Sequence, residues 1–422
     1  MRLLASSPAT GGSGRPRRSG RKTLTRAATA MSVFLAAAVL SLSSSPLTPA
    51  AAATRTQVAA WSTGLNQGGP GFSDQTIREV VHLSSGGSTV RLQLSNLRGT
   101  STLTVGHVDV AVQSSGGVPV AGTHHRVTFG GSTGVTLAVG AEQVSDEVAL
   151  STSADENLLV SIYVSNTIDT SSWHPNAQAT TWISSSGDHA ADDTVASYPT
   201  HTYASYLLGG LWVNSATAAG TLVALGDSIT DGVKSSVNAD RRYPDDLARR
   251  LAAVSGGPHL SVANVGIGGN RVLADGSANS GLSALHRFAH DALAQPNVKT
   301  VLLLEGINDI TYNSASASSI TSGYQTLITQ AHAAGVRVVA ATVMPFNGMS
   351  GYTAARETIR QQVNTWIRTS GAFDAVLDFD LAVRNPADAT TLLPAYDSGD
   401  HIHPNDAGYQ AMADAVTLSA LG

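Results

Sequence analysis

A serine hydroxyl attacks a carbonyl only when the chain holds it at a turn and a neighbouring base takes its proton. Residues Thr221–Gly232, reading TLVALGDSITDG, meet the first condition. Five strand-forming residues, Thr221–Leu225, run into Gly226, Asp227 and Ser228. The strand fixes the position, the glycine permits a sharp turn, and Ser228 is left at the rim of a sheet. A Gly-Asp-Ser cluster alone is an ordinary turn, so the weight falls on what accompanies it. His403 follows Asp400 by three residues. Within one turn that carboxylate can orient the ring, hold its tautomer and stabilise the imidazolium formed when the ring takes a serine proton. A tetrahedral intermediate also needs donors aimed at its oxyanion. The Ser228 N–H, an N–H at a Cβ-free glycine and the Asn308 amide would supply three.

Each cluster has a blander reading. Gly266-Ile267-Gly268-Gly269 looks like a dinucleotide loop but lacks the last glycine at its required spacing. His401 and His403 beside Asp400 suggest a metal, but no further ligands cluster with them. Asn308-Asp309 is also a plain turn or helix cap. A second serine motif, Gly130-Gly131-Ser132-Thr133-Gly134, matches Gly-x-Ser-x-Gly. It sits among glycines between two β runs rather than between a strand and a helix, so it reads as a turn.

The elements around the first set of residues explain why they should meet. From Thr221 onward, strands and helices alternate strictly. Strands are expected at Thr221–Leu225, Leu260–Val265, Val301–Leu304, Val336–Val343 and Ala375–Phe379. Helices are expected around Pro244–Val254 (Leu247, Leu251, Val254 inward) and Leu282–Leu293 (Leu285, Ala289, Leu293 inward). Others carry Ile320, Tyr324, Leu327, Ile328 and Ala331, or Ile359, Val363 and Ile367. A last one, capped by Asn405 or Asp406, bears Tyr409, Met412 and Val416. Such alternation builds a parallel sheet with helices on both faces, and ligands bind at the carboxyl ends of its strands. Ser228, Gly266–Asn270, Gly306–Asp309 and Asp400–Pro404 follow the first, second, third and fifth strands, so the rule brings them together.

Four ordered blocks, GDSIT (Gly226–Thr230), NVGIGGN (Asn264–Asn270), GIND (Gly306–Asp309) and DHIHP (Asp400–Pro404), resemble those of the SGNH/GDSL hydrolases. The resemblance covers Thr221 to the end of the chain. It implies a flavodoxin-like α/β domain, Ser228 as nucleophile, His403 as base oriented by Asp400, and an oxyanion hole of Ser228, Gly269 and Asn308, with no cofactor or metal. Ile229 stands where leucine is usual, and Gly268 beside Gly269 leaves the donor glycine open.

The rest of the chain sets the context. Residues 54–216 read as an all-β sandwich or jelly roll, with short runs at Ile77–Leu83, Thr89–Leu94, Leu103–Val112, Arg126–Phe129 and Leu158–Val164. The resemblance of this part to the β domain of secreted bacterial acylhydrolases and esterases is loose. It holds Trp61, Trp173, Trp182 and Trp212, which either fill its core or form a sugar-stacking platform. Ser215–Gly220 reads as a linker to the catalytic domain at 217–422. Residues 1–53 carry seven basic and no acidic residues, an apolar run Met31–Leu42, and Ala51-Ala52-Ala53. That is the pattern of a signal peptide cleaved after Ala53, and Arg17-Arg18 raises a twin-arginine route. Twelve residues are too few to cross a bilayer. Cleavage would leave 18 basic residues against 30 acidic ones, a net charge of −12, which disfavours nucleic acid and anionic membranes. With no cysteine in the chain, disulfides and thiolate chemistry are excluded. The expectation is a secreted serine hydrolase acting through an acyl-enzyme on small-molecule or polysaccharide-borne esters, with short acyl or acetyl groups. The alternatives are a lipase or phospholipase, or a glycan-binding protein whose hydrolase half is inactive.

Overall fold

In the computed structural model, the described residues are 55–66, 68–254, 259–277 and 279–422. The expected signal peptide at 1–53 lies outside them. The parallel sheet is built from Ala218–Gly226, His259–Asn264, Val298–Leu304, Arg337–Ala341 and Ala375–Leu377. The first strand lies between the second and third, with the fourth and fifth continuing beyond the third. All four pairings are parallel. This is the flavodoxin-like order, and the reversal at the first strand marks the crevice where ligands sit. Right-handed crossovers in opposite directions put the helix after the first strand on one face and those after the second and third strands on the other. Tyr243–Ala253 accordingly packs with Asp406–Asp414, and Ala284–Phe288 with Ala317–Ala333. Ile320, Tyr324, Leu327, Ile328 and Ala331 all enter the core. Asn405 is the cap of the last helix, accepting the Gly408 N–H through its side chain at 3.0 Å.

Two helical faces differ from expectation. Val254 is exposed. Between Ser283 and Leu293 the inward face is Ala284, Arg287, Phe288, Asp291 and Ala292, while Ala289 faces solvent. The α-helix Ala284–Phe288 continues as a π-helical turn, Ala289–Leu293. The Arg287–Asp291 ion pair (3.0 Å, four residues apart) occupies the face that hydrophobicity would assign to leucine.

The N-terminal half is a sandwich of antiparallel sheets. Thr56–Ser62, Leu208–Ser215, Val90–Ser95 and Glu142–Val144 form one. The other runs Thr200–Thr202, Thr181–Ser186, Phe72–His82, Asn157–Ile168, Leu103–Ser115, Val118–Pro119. Alternating residues such as Ile77, Leu92, Val108, Val160, Ile162 and Leu211 fill the space between. The run at Arg126–Phe129 is reduced to a two-residue strand, His125–Arg126. The decoy serine lies in a turn: Phe129 bridges Ser132, and Asp146 accepts the N–H groups of Gly130 and Gly131 at 3.0 and 2.8 Å. None of the four tryptophans is exposed; Trp173, for example, stacks on Tyr206 at 6.5 Å.

The junction between the halves is shorter than a linker. Leu208–Ser215 ends and Ala218–Gly226 begins after only Ala216 and Thr217, with Ser215 Oγ accepting the N–H groups of Thr217 and Ala218. Of the six residues Ser215–Gly220 read as a short linker, four lie in strands. The halves then share burial. Ala59 of the first β strand enters the core of the α/β half, and Ala218 enters the sandwich core. The Ala59 N–H donates to Thr221 Oγ1 at 3.1 Å. On the edge strand His259–Asn264, the Val262 N–H donates to Ser84 Oγ at 3.0 Å, so a side chain of the other half covers the exposed sheet edge. His290–Glu142 (2.8 Å) and Arg249–Asp155 (3.1 Å) add ion pairs across the same boundary. Among the described residues no helix is long and apolar enough to cross a membrane.

Candidate active site

Ser228 opens a four-residue helix, Ser228–Asp231, at the end of the central strand. Asp227 caps it, its Oδ1 accepting the Ile229 N–H at 2.9 Å. Gly226 is pressed between Thr230 and the Leu304 carbonyl, where an added Cβ would lie 2.3 Å from that oxygen. Only glycine lets the strand turn there. The hydroxyl is almost buried, at 9% exposure. It stands 2.8 Å from His403 Nε2, while His403 Nδ1 lies 2.8 Å from Asp400 Oδ2. Asp400 Oδ1 accepts the N–H groups of His403 and Ile402 at 2.9 and 3.2 Å. Partial burial works to raise the Asp400 pKa. The His403 backbone, its ring and the Ile402 N–H outweigh it and hold the carboxylate below its usual range. His401 is directed elsewhere, to Asp397 Oδ2 at 2.6 Å, and is half exposed. The His-x-His pair therefore does not converge.

Asn308 lies in the first turn of Ile307–Tyr312. Its Nδ2 donates to the Asn270 carbonyl at 2.9 Å, which leaves a second amide N–H. Gly269 has φ +72°, and an added Cβ would lie 2.7 Å from Ser280 Oγ. Gly268 donates its N–H to Asp231 Oδ2 at 3.0 Å. That commits the Gly268 N–H, whereas the Gly269 N–H stays available. Among the described residues neither the Ser228 nor the Gly269 N–H has a protein acceptor. Asp309 completes the third block as a brace, accepting the Val272 and Leu273 N–H groups at 2.7 and 3.1 Å. The predicted residues thus stand on the carboxyl ends of their strands. Ser228, His403 and Asp400 are linked directly; Asn308 is tied to the loop that carries Gly269.

Residues 224–411 match the GDSL-like lipase/acylhydrolase family. The match covers 188 of the chain's 422 residues, all within its α/β half. Solved structures similar to it include the aryl esterase of M. smegmatis (17% identity, TM-score 0.40, 48% of this chain and 100% of that one). The acetylxylan esterase Axe2 of Geobacillus stearothermophilus is similar at 22% identity and TM-score 0.37, over 49% and 95%. A G-D-S-L family protein of Desulfitobacterium hafniense gives 19% and 0.37, over 46% and 96%. No curated protein matches the chain.

Four residues in and around the site escaped the sequence. Arg287 is 2% exposed and stitches the site from beneath. It donates to the Val265 and Gly226 carbonyls at 2.6 and 3.0 Å, and to Asn270 Oδ1 at 3.0 Å. Asp231 receives His174 Nε2 from the β half at 2.9 Å. Glu305 is buried one residue before the GIND block. Burial first, then the nearby Asp227, pushes its pKa well above the usual carboxylate range. Asp227 is itself pushed up by burial, to about 7. Burial thus disfavours charge on both acids behind Ser228, which reduces the negative charge facing an oxyanion there. An arginine at a helical position reads as solvent-facing and a lone histidine in a β run as packing. The spacing of Arg287 and Asp291, four residues apart on one helix face, is the signal that was present.

Proposed function

We propose that this protein is a secreted serine esterase that cleaves carboxylic esters through an acyl-enzyme. The unbroken hydrogen-bond chain Asp400–His403–Ser228 carries the reading. His403 takes the Ser228 proton as Oγ adds to the ester carbonyl, and Asp400 steadies the imidazolium. The oxyanion is received by the Ser228 and Gly269 N–H groups and the second Asn308 amide N–H. Collapse breaks the bond to the alcohol, which leaves with the proton from His403. Water, deprotonated by the same ring, then releases the acid. An intact chain of this kind speaks against a purely glycan-binding protein. Trp61 is buried and Trp173, Trp182 and Trp212 are half-buried, which speaks against a stacking platform of exposed rings in the β half. Short acyl esters, acetyl first and carbohydrate-borne among them, are the proposed substrates. Export rests on the pattern of residues 1–53.

The test is hydrolysis of an aryl ester series from acetyl to decanoyl, alongside acetylated xylan, by the wild-type chain and Ser228→Ala. The wild type should favour the shortest acyl groups and the variant should be inactive. A preference for long chains would move the assignment to a lipase-type acylhydrolase, and an active Ser228→Ala would remove the serine mechanism. N-terminal sequencing of protein from culture supernatant should begin at Thr54.

A further inference from the structure

A buried side chain of the β half reaches the candidate site. His174 lies in the short strand Trp173–His174 and is 3% exposed. Its Nδ1 is 2.8 Å from the Gly64 carbonyl and its Nε2 is 2.9 Å from Asp231 Oδ1. A carbonyl and a carboxylate are both acceptors, so each is met by a ring N–H when the ring carries both protons. Burial opposes the charge of that form. The Asp231 carboxylate and the hydrogen bonds outweigh it and raise the pKa. Asp231, also 3% exposed, uses its other oxygen, Oδ2, to hold the Gly268 N–H at 3.0 Å.

The position of this pair matters. Asp231 is three residues from Ser228, in the same short helix. Gly268 precedes Gly269 in the loop that carries the oxyanion donor. The carboxylate therefore spaces the nucleophile turn from the donor loop. That loop has little freedom: a Cβ on Gly266 would lie 2.3 Å from the Asp231 backbone nitrogen, and one on Gly268 would lie 2.9 Å from Asn176 Nδ2 of the β half. We infer that His174 is a positioning residue for catalysis: by holding Asp231 it fixes the Gly268–Gly269 peptide and aims the Gly269 N–H at the oxyanion. The inference rests on the serine esterase reading. Without His174, Asp231 is a buried carboxylate missing its cation. It either takes up a proton or turns, and the loop loses its anchor. An N–H that binds only the tetrahedral state costs kcat rather than KM when misplaced.

The test uses the full chain with His174→Ala, His174→Phe, which keeps a ring but no donor, and His174→Gln, which keeps a donor toward Asp231. Folding is checked by thermal melting. The readings are kcat and KM for an aryl acetate, and Ki for a trifluoromethyl ketone, whose adduct with Ser228 carries an oxyanion. Ala and Phe should lose kcat about 10- to 100-fold, less than deletion of a donor outright. KM should stay within about twofold and Ki should rise in parallel with the loss in kcat/KM. Gln should retain more activity than Phe. If Ala does not fold, the Phe and Gln pair carries the comparison. A folded Phe variant with wild-type kcat overturns the inference. So does a loss confined to KM, or a loss with unchanged Ki. Ser228→Ala is measured beside them. Residual hydrolysis there removes the serine reading itself, whereas an inactive Ser228→Ala beside fully active His174 variants removes only the role of His174.

Discussion

His401 and His403 are two residues apart and have different partners. His403 bridges Ser228 and Asp400, while His401 closes on Asp397 with its backbone at φ +67°. His403→Ala should therefore lower kcat by about 10³-fold or more, as removal of one member of a cooperating set does. His401→Ala should leave turnover near wild type, because an exposed pair contributes little. The reverse result in an ester assay would assign the base to His401. Asn308→Ala should lower kcat by about 10²- to 10³-fold with little change in KM. A raised KM at constant kcat would instead make Asn308 a substrate-binding group. These residues were legible because each is a chemically specific type at a predicted strand end. Arg287, Asp231 and His174 were not, since their roles depend on partners brought close only by folding. His174 and Asp231 are separated by 57 residues.

The carboxyl ends of the parallel strands leave almost no slack between the loops they carry. Gly266 shows this best. A methyl group there would meet the backbone of Thr230 and Asp231 at 2.3 to 2.8 Å, and backbone cannot swing aside as a flexible side chain can. Gly266→Ala should cost roughly 1–3 kcal/mol in urea unfolding. It should also lower kcat, because relief comes only by moving the donor loop from the nucleophile turn. Full activity with unchanged stability would show the turn to be softer than its packing suggests. The α/β elements were readable because alternation of period two with period 3.6 survives substitution. The strands Thr56–Ser62, Thr181–Ser186 and Leu208–Ser215 were not. They carry paired small or polar residues, such as Gly209-Gly210 and Ser184–Ser186, and owe their conformation to neighbours across the sheet.

Several buried groups make the molecule hold protons that its unfolded chain would release. Burial pushes Glu79 up to about 8 and Asp227 to about 7. His174 is raised by its buried partner despite desolvation. Hydrogen bonds to Asp291 and then Glu142 raise His290 to about 10. Each stabilises the fold fully below its unfolded pKa and loses that contribution as pH rises through the folded value. The depressed carboxylates, Asp400 among them, act below about pH 4 and leave this window clear. The urea midpoint should therefore fall between pH 5.5 and 8.5, and Glu79→Gln should flatten the fall. A flat or rising midpoint would contradict the burial assigned to these groups. Shared cores make a second prediction. Expressed alone, residues 218–422 should be insoluble or inactive on an aryl acetate and on acetylated xylan alike, because Ala59 is missing from their core and the cover of the sheet edge is gone. The same two-residue junction bears on inheritance. A genetic crossover at Ala216–Thr217 would look harmless on a map of coding segments, yet it would pair Asp231 of one lineage with whatever residue another lineage carries at position 174. Lineages descended from such an exchange should keep both residues or have changed both, so this seam is a poor place to graft a foreign catalytic half.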